Sequence, residues 1–179
     1  MKLTYAVLLI LCLGGCAANT DTGMNGSSAR ERDVNGNTAA TADIARPALF
    51  DKPLPWPVSS GSVVKQFGDQ INPVLGTVTH NPGIDISVPV GSPVMSVAPG
   101  KVSLIESIPG YGNIVILEHD NAVFSVYAHL SEISLTKGDA VAAQQVIAMS
   151  GESIDGPGLH FELWHQRQKQ NPLLLLEQR

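Results

Sequence analysis

The sequence predicts an all-β domain, a compact antiparallel sheet or sandwich. From Pro53 onward the apolar runs are short, Gly and Pro separate them, and almost none has the period of an amphipathic helix. Strands of that length and punctuation bury a core by pairing edge to edge and folding over, not by wrapping helices around a parallel sheet.

The elements follow in order. Pro53, Pro55 and Pro57 surround Trp56 and open the domain; Val63-Val64 then leads to Phe67-Gly68. Val94 to Val97 is a strand stopped by Gly100, and Lys101 to Ile108 alternates loosely before Pro109-Gly110 turns the chain. Ile114 to Leu117 is a continuous apolar strand ending at Glu118-His119, and Asp120-Asn121 reads as a hairpin turn into a strand from Val123 to Leu130. Gln145 to Met149 and Leu159 to Trp164 supply two more strands. A short helix is expected only after Asn171-Pro172, where Asn suits the N-cap and Pro the first helical position. Leu173 to Leu176 then pack on the sheet.

The chain ahead of this domain has a different texture. Met1-Lys2 is a short basic start and Leu3 to Leu13 is almost unbroken apolar sequence. That run is shorter than the about 20 residues of a membrane span, so residues 1–15 read as a signal peptide. It ends in Leu13-Gly14-Gly15-Cys16, which resembles a bacterial lipobox. The resemblance implies that Cys16 is lipidated and becomes the new N-terminus, anchoring the protein in a membrane. Ala17, where a sorting rule known for enteric bacteria looks for Asp, implies the outer membrane, facing the periplasm. Residues 16–52 are rich in Asn, Thr, Ser, Gly, Ala and Asp and read as a flexible tether spanning roughly 30 Å. Residues 53–179 form the folded domain. It contains no cysteine, which excludes disulfides and thiolate metal sites there. The formal net charge of −5 and the lack of a basic run argue against nucleic acid as a partner.

Seven short motifs occur in order: Leu54-Pro55-Trp56-Pro57-Val58, Phe67-Gly68, Gly83-Ile84-Asp85-Ile86, Pro89-Val90-Gly91-Ser92-Pro93-Val94, Gly110-Tyr111-Gly112-Asn113, Tyr127-Ala128-His129-Leu130 and Leu159-His160-Phe161-Glu162. Together they resemble the lysostaphin/LytM-type (duplicated hybrid motif) peptidase domain over roughly two thirds of the chain. The resemblance implies an antiparallel sheet with a groove over it and a site that cuts peptide cross-bridges in peptidoglycan. Active members of that family bind zinc through a His-x-x-x-Asp pair and the second His of His-x-His. The first His of His-x-His and the His of the Tyr-x-His-Leu segment are their catalytic groups.

Carried onto this chain, Asp85 and His160 match metal ligands and His129 matches a catalytic histidine. Two positions depart: Asn81 stands where a ligand His is expected, and Gly158 where the other catalytic His is expected. Strand period puts Gly158, His160, Glu162 and Trp164 on one face and Leu159, Phe161, Leu163 and His165 on the other. Glycine is expected to leave the imidazole's place at 158 empty. A catalytic zinc takes three protein ligands and a water. With two in register, no cofactor is expected unless His80 ligates, which a bulge at Asn81-Pro82 would permit; otherwise His80 is an exposed loop residue. Glu162 reads equally as a hydrogen-bond partner of His160 or an exposed strand glutamate. His119 is expected outside the metal site, and Tyr111 and Asn113 at the groove rim.

Degenerate LytM domains resemble the murein hydrolase activators, several of them outer-membrane lipoproteins. They switch on N-acetylmuramoyl-L-alanine amidases. The resemblance implies a non-enzymatic activator or regulator acting on such an amidase and on peptidoglycan. Two alternatives stay open: a weak or altered zinc endopeptidase using His80, Asp85 and His160, and a peptidoglycan-binding lipoprotein without a hydrolase partner.

Overall fold

A computed structural model describes residues 52–179. The signal peptide, Cys16 and nearly all of the tether lie outside the described residues. The strands are β1 (Ser62–Lys65), β2 (Gly68–Ile71), β3 (Val78–Asn81), β4 (Ile84–Ser87), β5 (Pro93–Met95), β6 (Gly100–Ile108), β7 (Gly112–Glu118), β8 (Val123–Ile133), β9 (Ala140–Val141), β10 (Val146–Ser153), β11 (Gly156–His165) and β12 (Gln168–Gln170). One large antiparallel sheet runs β1-β4-β11-β10-β8-β7-β6-β9, with β12 on β11, β5 on β10 and a further β11–β8 pairing. β2 and β3 form a separate two-stranded hairpin.

Turn chemistry explains the local order. Asn121 and Ala122 both have positive φ (58° and 56°), the conformation that lets a tight turn follow the right-handed twist of β7 and β8. Pro109-Gly110 turns β6 into β7, with Gly110 at φ 86°. Asn171 caps the 3-10 helix Pro172–Leu174 by accepting the Leu173 N–H. Leu175 and Leu176 beyond it are buried, as expected for packing on the sheet.

β11 runs through the centre, paired with β4 on one side and with β8 and β10 on the other. Leu159, Phe161 and Leu163 enter the core, where the Phe161 and Tyr127 rings lie 5.3 Å apart. The opposite face of β11 is buried as well: His160, Glu162 and Trp164 are 5%, 1% and 7% exposed. Polar side chains on that face therefore need internal partners.

The β2–β3 hairpin was not expected. Gln66 to Gln70 has little strand character, and the pairing depends on the turn at Asn72 to Gly76. The strand at β4 was visible only as part of a motif, because its alternation is shorter than five residues.

Candidate functional site

Register brings the two halves of the site together. His160 on β11 stands directly opposite Asp85 on β4. Gly83 makes this approach close: a Cβ there would collide with the Phe161 carbonyl oxygen. His160 Nδ1 lies 2.7 Å from Asp85 Oδ1, and Nε2 lies 3.0 Å from Glu162 Oε1. Ionised carboxylates only accept hydrogen bonds, so an imidazole with one on each nitrogen donates from both and is an imidazolium. Burial opposes that charge, yet the hydrogen bonds His160 donates to Asp85 and Glu162 outweigh it and raise its pKa to about 9.

Glu162 is the hub of this arrangement. It is not an exposed strand glutamate: besides His160, it accepts from Trp164 Nε1 at 2.5 Å and faces Lys169 Nζ at 3.9 Å. Lys169 also lies over the Trp164 ring. Tyr111 meets His160 edge-on at 5.5 Å. Burial, then the negative Glu162 and Asp85, push the Tyr111 phenol up to about 12, so it stays neutral. Asn113 donates to the Leu130 carbonyl and fixes the neighbouring loop to β8.

His129 reaches the site through a bulge. Asn113 pairs with Leu130 and Val115 with Tyr127, so Ala128 and His129 together oppose Ile114 alone. His129 takes the left-handed φ of 59°, and its N–H donates to the Tyr111 carbonyl at 2.8 Å. A residue held in that region costs about 1–3 kcal/mol and persists only where its surroundings enforce it. The bulge aims the ring at His160, with centroids 6.3 Å apart. Burial, and then the positive His160, hold the His129 pKa below its ordinary value.

The two departing positions have specific surroundings. Asn81 Nδ2 lies 3.1 Å from both Asp85 Oδ2 and the Gln66 carbonyl. Both neighbours are acceptors, so the amide presents its NH₂ group to them and its oxygen elsewhere. Asn81 is thus a donor to Asp85, not a third ligand beside it. Gly158 is a correction to the expectation of an empty place. A Cβ there would sit 2.8 Å from the Ile86 carbonyl oxygen, so the backbone of β4 occupies the direction an imidazole would leave in. Gly158, His129 and Asp85 do border a cavity, but it measures only about 50 Å³, and the Lys65–Asp155 ion pair (2.5 Å) lies on its wall.

His80 sits on β3 with its side chain half-exposed and Nδ1 2.8 Å from Asp69. Its ring also meets Phe67 edge-on at 5.6 Å. His119 lies elsewhere, buried between the Pro99 carbonyl and Ser125. Among the described residues, no group of three or more His, Cys, Asp or Glu side chains is arranged to hold a metal ion. The residues at the centre do not fit zinc as they stand: both nitrogens of His160 are donors, and the group beside Asp85 is an NH₂. The sequence left the Glu162–His160 partnership as one of two readings and placed Tyr111 at the rim; the contacts of Glu162 with Trp164 and Lys169 were not foreseen. The one available signal was Glu162 and Trp164 on the same strand face as His160.

Comparison with known proteins agrees with the fold and the motif order. The family model described as peptidase family M23 matches residues 79–172. The chain is 38% identical over 94 residues to the peptidoglycan DD-endopeptidase ShyB of Vibrio cholerae, covering 51% of this chain and 22% of that protein. It thus spans about a quarter or less of such relatives. A zinc-containing peptidase from Vibrio cholerae superposes with a TM-score of 0.63 at 30% identity, over 68% of this chain and 40% of that one. A chain of the SpoIIQ–SpoIIIAH pore-forming complex superposes with a TM-score of 0.62 at 28% identity, over 70% of this chain and 92% of that one. With the motifs in order, the antiparallel sheet and Asp85 facing His160 across it, this chain belongs to peptidase family M23, a family of peptidoglycan hydrolases.

Proposed function

We propose that this chain is a non-enzymatic activator or regulator of a peptidoglycan amidase, acting in cell-wall remodelling. The observation that carries the reading is His160 held by Asp85 and Glu162, with the Asn81 amide donating to the same Asp85. Both ring nitrogens of His160 are engaged by carboxylates, and Asn81 adds a hydrogen-bond donor, not a ligand, beside Asp85. His129 is a neutral imidazole turned edge-on toward His160. A zinc hydrolase gains its nucleophile by lowering the pKa of a water on a metal held by three protein ligands, of which this centre keeps Asp85 and His160. What remains is a rigid, polar-satisfied centre beneath a surface. The fold also occurs in a chain of the SpoIIQ–SpoIIIAH complex, which supports a binding use for it.

In this reading the protein is lipid-anchored through Cys16, at the outer membrane and facing the periplasm. The tether lets the domain reach peptidoglycan and its partner, an N-acetylmuramoyl-L-alanine amidase. The decisive experiment incubates purified protein with dye-labelled peptidoglycan, with and without a periplasmic amidase of the same cell. Release that requires both components supports activation. Release by the protein alone, abolished by a chelator, would establish the zinc endopeptidase instead. Sedimentation with peptidoglycan, without any effect on an amidase that another activator switches on, would establish the plain wall-binding lipoprotein.

A further inference from the structure

A second cavity lies across β1 from the centre. Val63 and Val64 are neighbours on that strand and point to opposite faces; Val64 borders the cavity beside Gly158, and Val63 borders this one. It measures about 390 Å³, against about 50 Å³ at the centre. That is within the roughly 300–1,000 Å³ of pockets that enclose a small ligand. Trp56, Val63 and Leu173 pack against the core and give the cavity an apolar lining. Glu177, Gln178 and Arg179 complete it with polar residues.

The aromatic part of this lining is fixed in the free protein. Trp56 Nε1 donates to the Glu177 carbonyl at 2.8 Å, and the Trp56 carbonyl accepts from Gln144 Nε2 at 3.3 Å. Pro55 and Pro57 restrict the backbone on both sides. The Arg179 guanidinium lies over the Trp56 ring, 4.3 Å from its centroid, and donates to the Val58 carbonyl. An indole face and one carbonyl thus hold the guanidinium plane and leave most of its N–H donors uncommitted. The ordering cost of a long side chain is already met before a ligand arrives.

Charge then selects the ligand. Among the described residues, neither Arg179 nor Glu177 has an ion-pair partner. Burial pushes the Arg179 pKa below its ordinary value, so this cation loses water without gaining an anion. A planar fork of N–H donors matches a carboxylate through two parallel bonds. Glu177 brings the opposite charge to the same cavity and suits an ammonium group. Trp56, Val63 and Leu173 suit small aliphatic groups. A sugar ring stacks on an open aromatic face, and here the guanidinium covers that face.

We propose that this cavity binds a short zwitterionic peptide of small aliphatic residues, with its carboxylate on Arg179, its ammonium at Glu177 and its aliphatic groups against Trp56, Val63 and Leu173. The test titrates the full chain carrying Cys16→Ser with the L,L and D,D forms of alanylalanine and follows backbone amide signals by NMR. Signals of Gly61 and Val63, which border the cavity, should shift saturably with at least one form. The C-terminal amide and the N-acetyl form of that dipeptide should each bind about tenfold more weakly, because each removes one charged end. Arg179→Gln should weaken the dipeptide as much as amidation does, and Glu177→Gln as much as acetylation does. Arg179→Lys keeps the charge without the fork and should not restore full affinity. The peptide comparisons use unaltered Arg179, so they decide the matter even where Arg179→Gln loosens its contact with Trp56. No shift at Gly61 and Val63, or affinity that neither amidation nor Arg179→Gln changes by more than about twofold, overturns the proposal. N-acetylglucosamine shifting the same signals while the dipeptides do not also overturns it. Once dipeptide binding is seen, sedimentation with purified peptidoglycan separates the sources. Sedimentation lost in Arg179→Gln assigns the site to wall peptides, and sedimentation unaffected by it assigns the site to free peptides.

Discussion

At the residue scale, the centre differs from a metal site in what its donors face. Asn81 is the decisive substitution, because it fills the position beside Asp85 with a hydrogen-bond donor. The purified domain is expected to hold well under one equivalent of zinc by elemental analysis. Asn81→His should raise that content several-fold by supplying a third donor to Asp85 and His160. A wild-type protein with stoichiometric zinc would refute this account of the centre. Gly158→His, by contrast, should not rebuild the other half of the site. Its Cβ meets the Ile86 carbonyl at 2.8 Å, and overpacking of this kind costs about 1–3 kcal/mol, readable in urea unfolding. Glu162→Ala should cost about 3–5 kcal/mol, since it leaves a buried imidazolium short of one carboxylate. The identities of Asp85, His129, His160, Asn81 and Gly158 were legible in the sequence by motif. For Glu162 the sequence left two readings, partner of His160 or exposed strand glutamate, because a strand period gives its face but not what covers that face.

At the element scale, β11 carries both the core and the centre. Phe161→Ala opens a cavity beside Tyr127 and should cost about 3–5 kcal/mol, while leaving the polar face chemically intact. A second polar network joins the loop before β6 to β7 and β8. His119 Nδ1 lies 2.7 Å from the Pro99 carbonyl and Nε2 2.7 Å from Ser125 Oγ, which in turn meets the Tyr127 hydroxyl at 3.1 Å. Burial lowers the His119 pKa below 6.5. The folded state therefore binds fewer protons here than the unfolded chain. Its contribution is full above pH about 6.5 and is lost as pH falls through the folded pKa. His129, also lowered, acts in the same direction. His160, raised to about 9, acts oppositely: its contribution is full below about 6.5 and fades as pH rises through about 9. The melting temperature should therefore drop on the acid side, and His119→Gln should flatten that limb. An unchanged acid limb in the variant would remove His119 from the explanation. β7 was readable from a continuous apolar run, and β11 from its alternation. The β2–β3 hairpin was not, because its pairing rests on Asn72 hydrogen bonds and not on alternation.

At the scale of the whole molecule, the domain reading and the anchoring reading make separate demands. The short apolar run at the N-terminus and Cys16 predict that Cys16→Ser moves the protein from membranes to the soluble periplasm after the signal is removed. Fractionation checks this, and a variant still on membranes after cleavage would exclude the lipid anchor. Among the described residues, no helix is long and apolar enough to cross a membrane.

The sequence by itself determined the all-β class, most strand positions and the order of motifs that places the chain in its family. Those features are local: apolar period, turn residues and short fixed spacings. Only the tertiary structure decided what the motif residues do. Asp85 and His160 are far apart in the chain and meet through β4–β11 register; Glu162 becomes a hub because its face of the sheet is covered. The place at Gly158 is closed by a carbonyl from another strand. Protonation, ligand capacity and room are properties of neighbours in space, and the chain order alone does not name them.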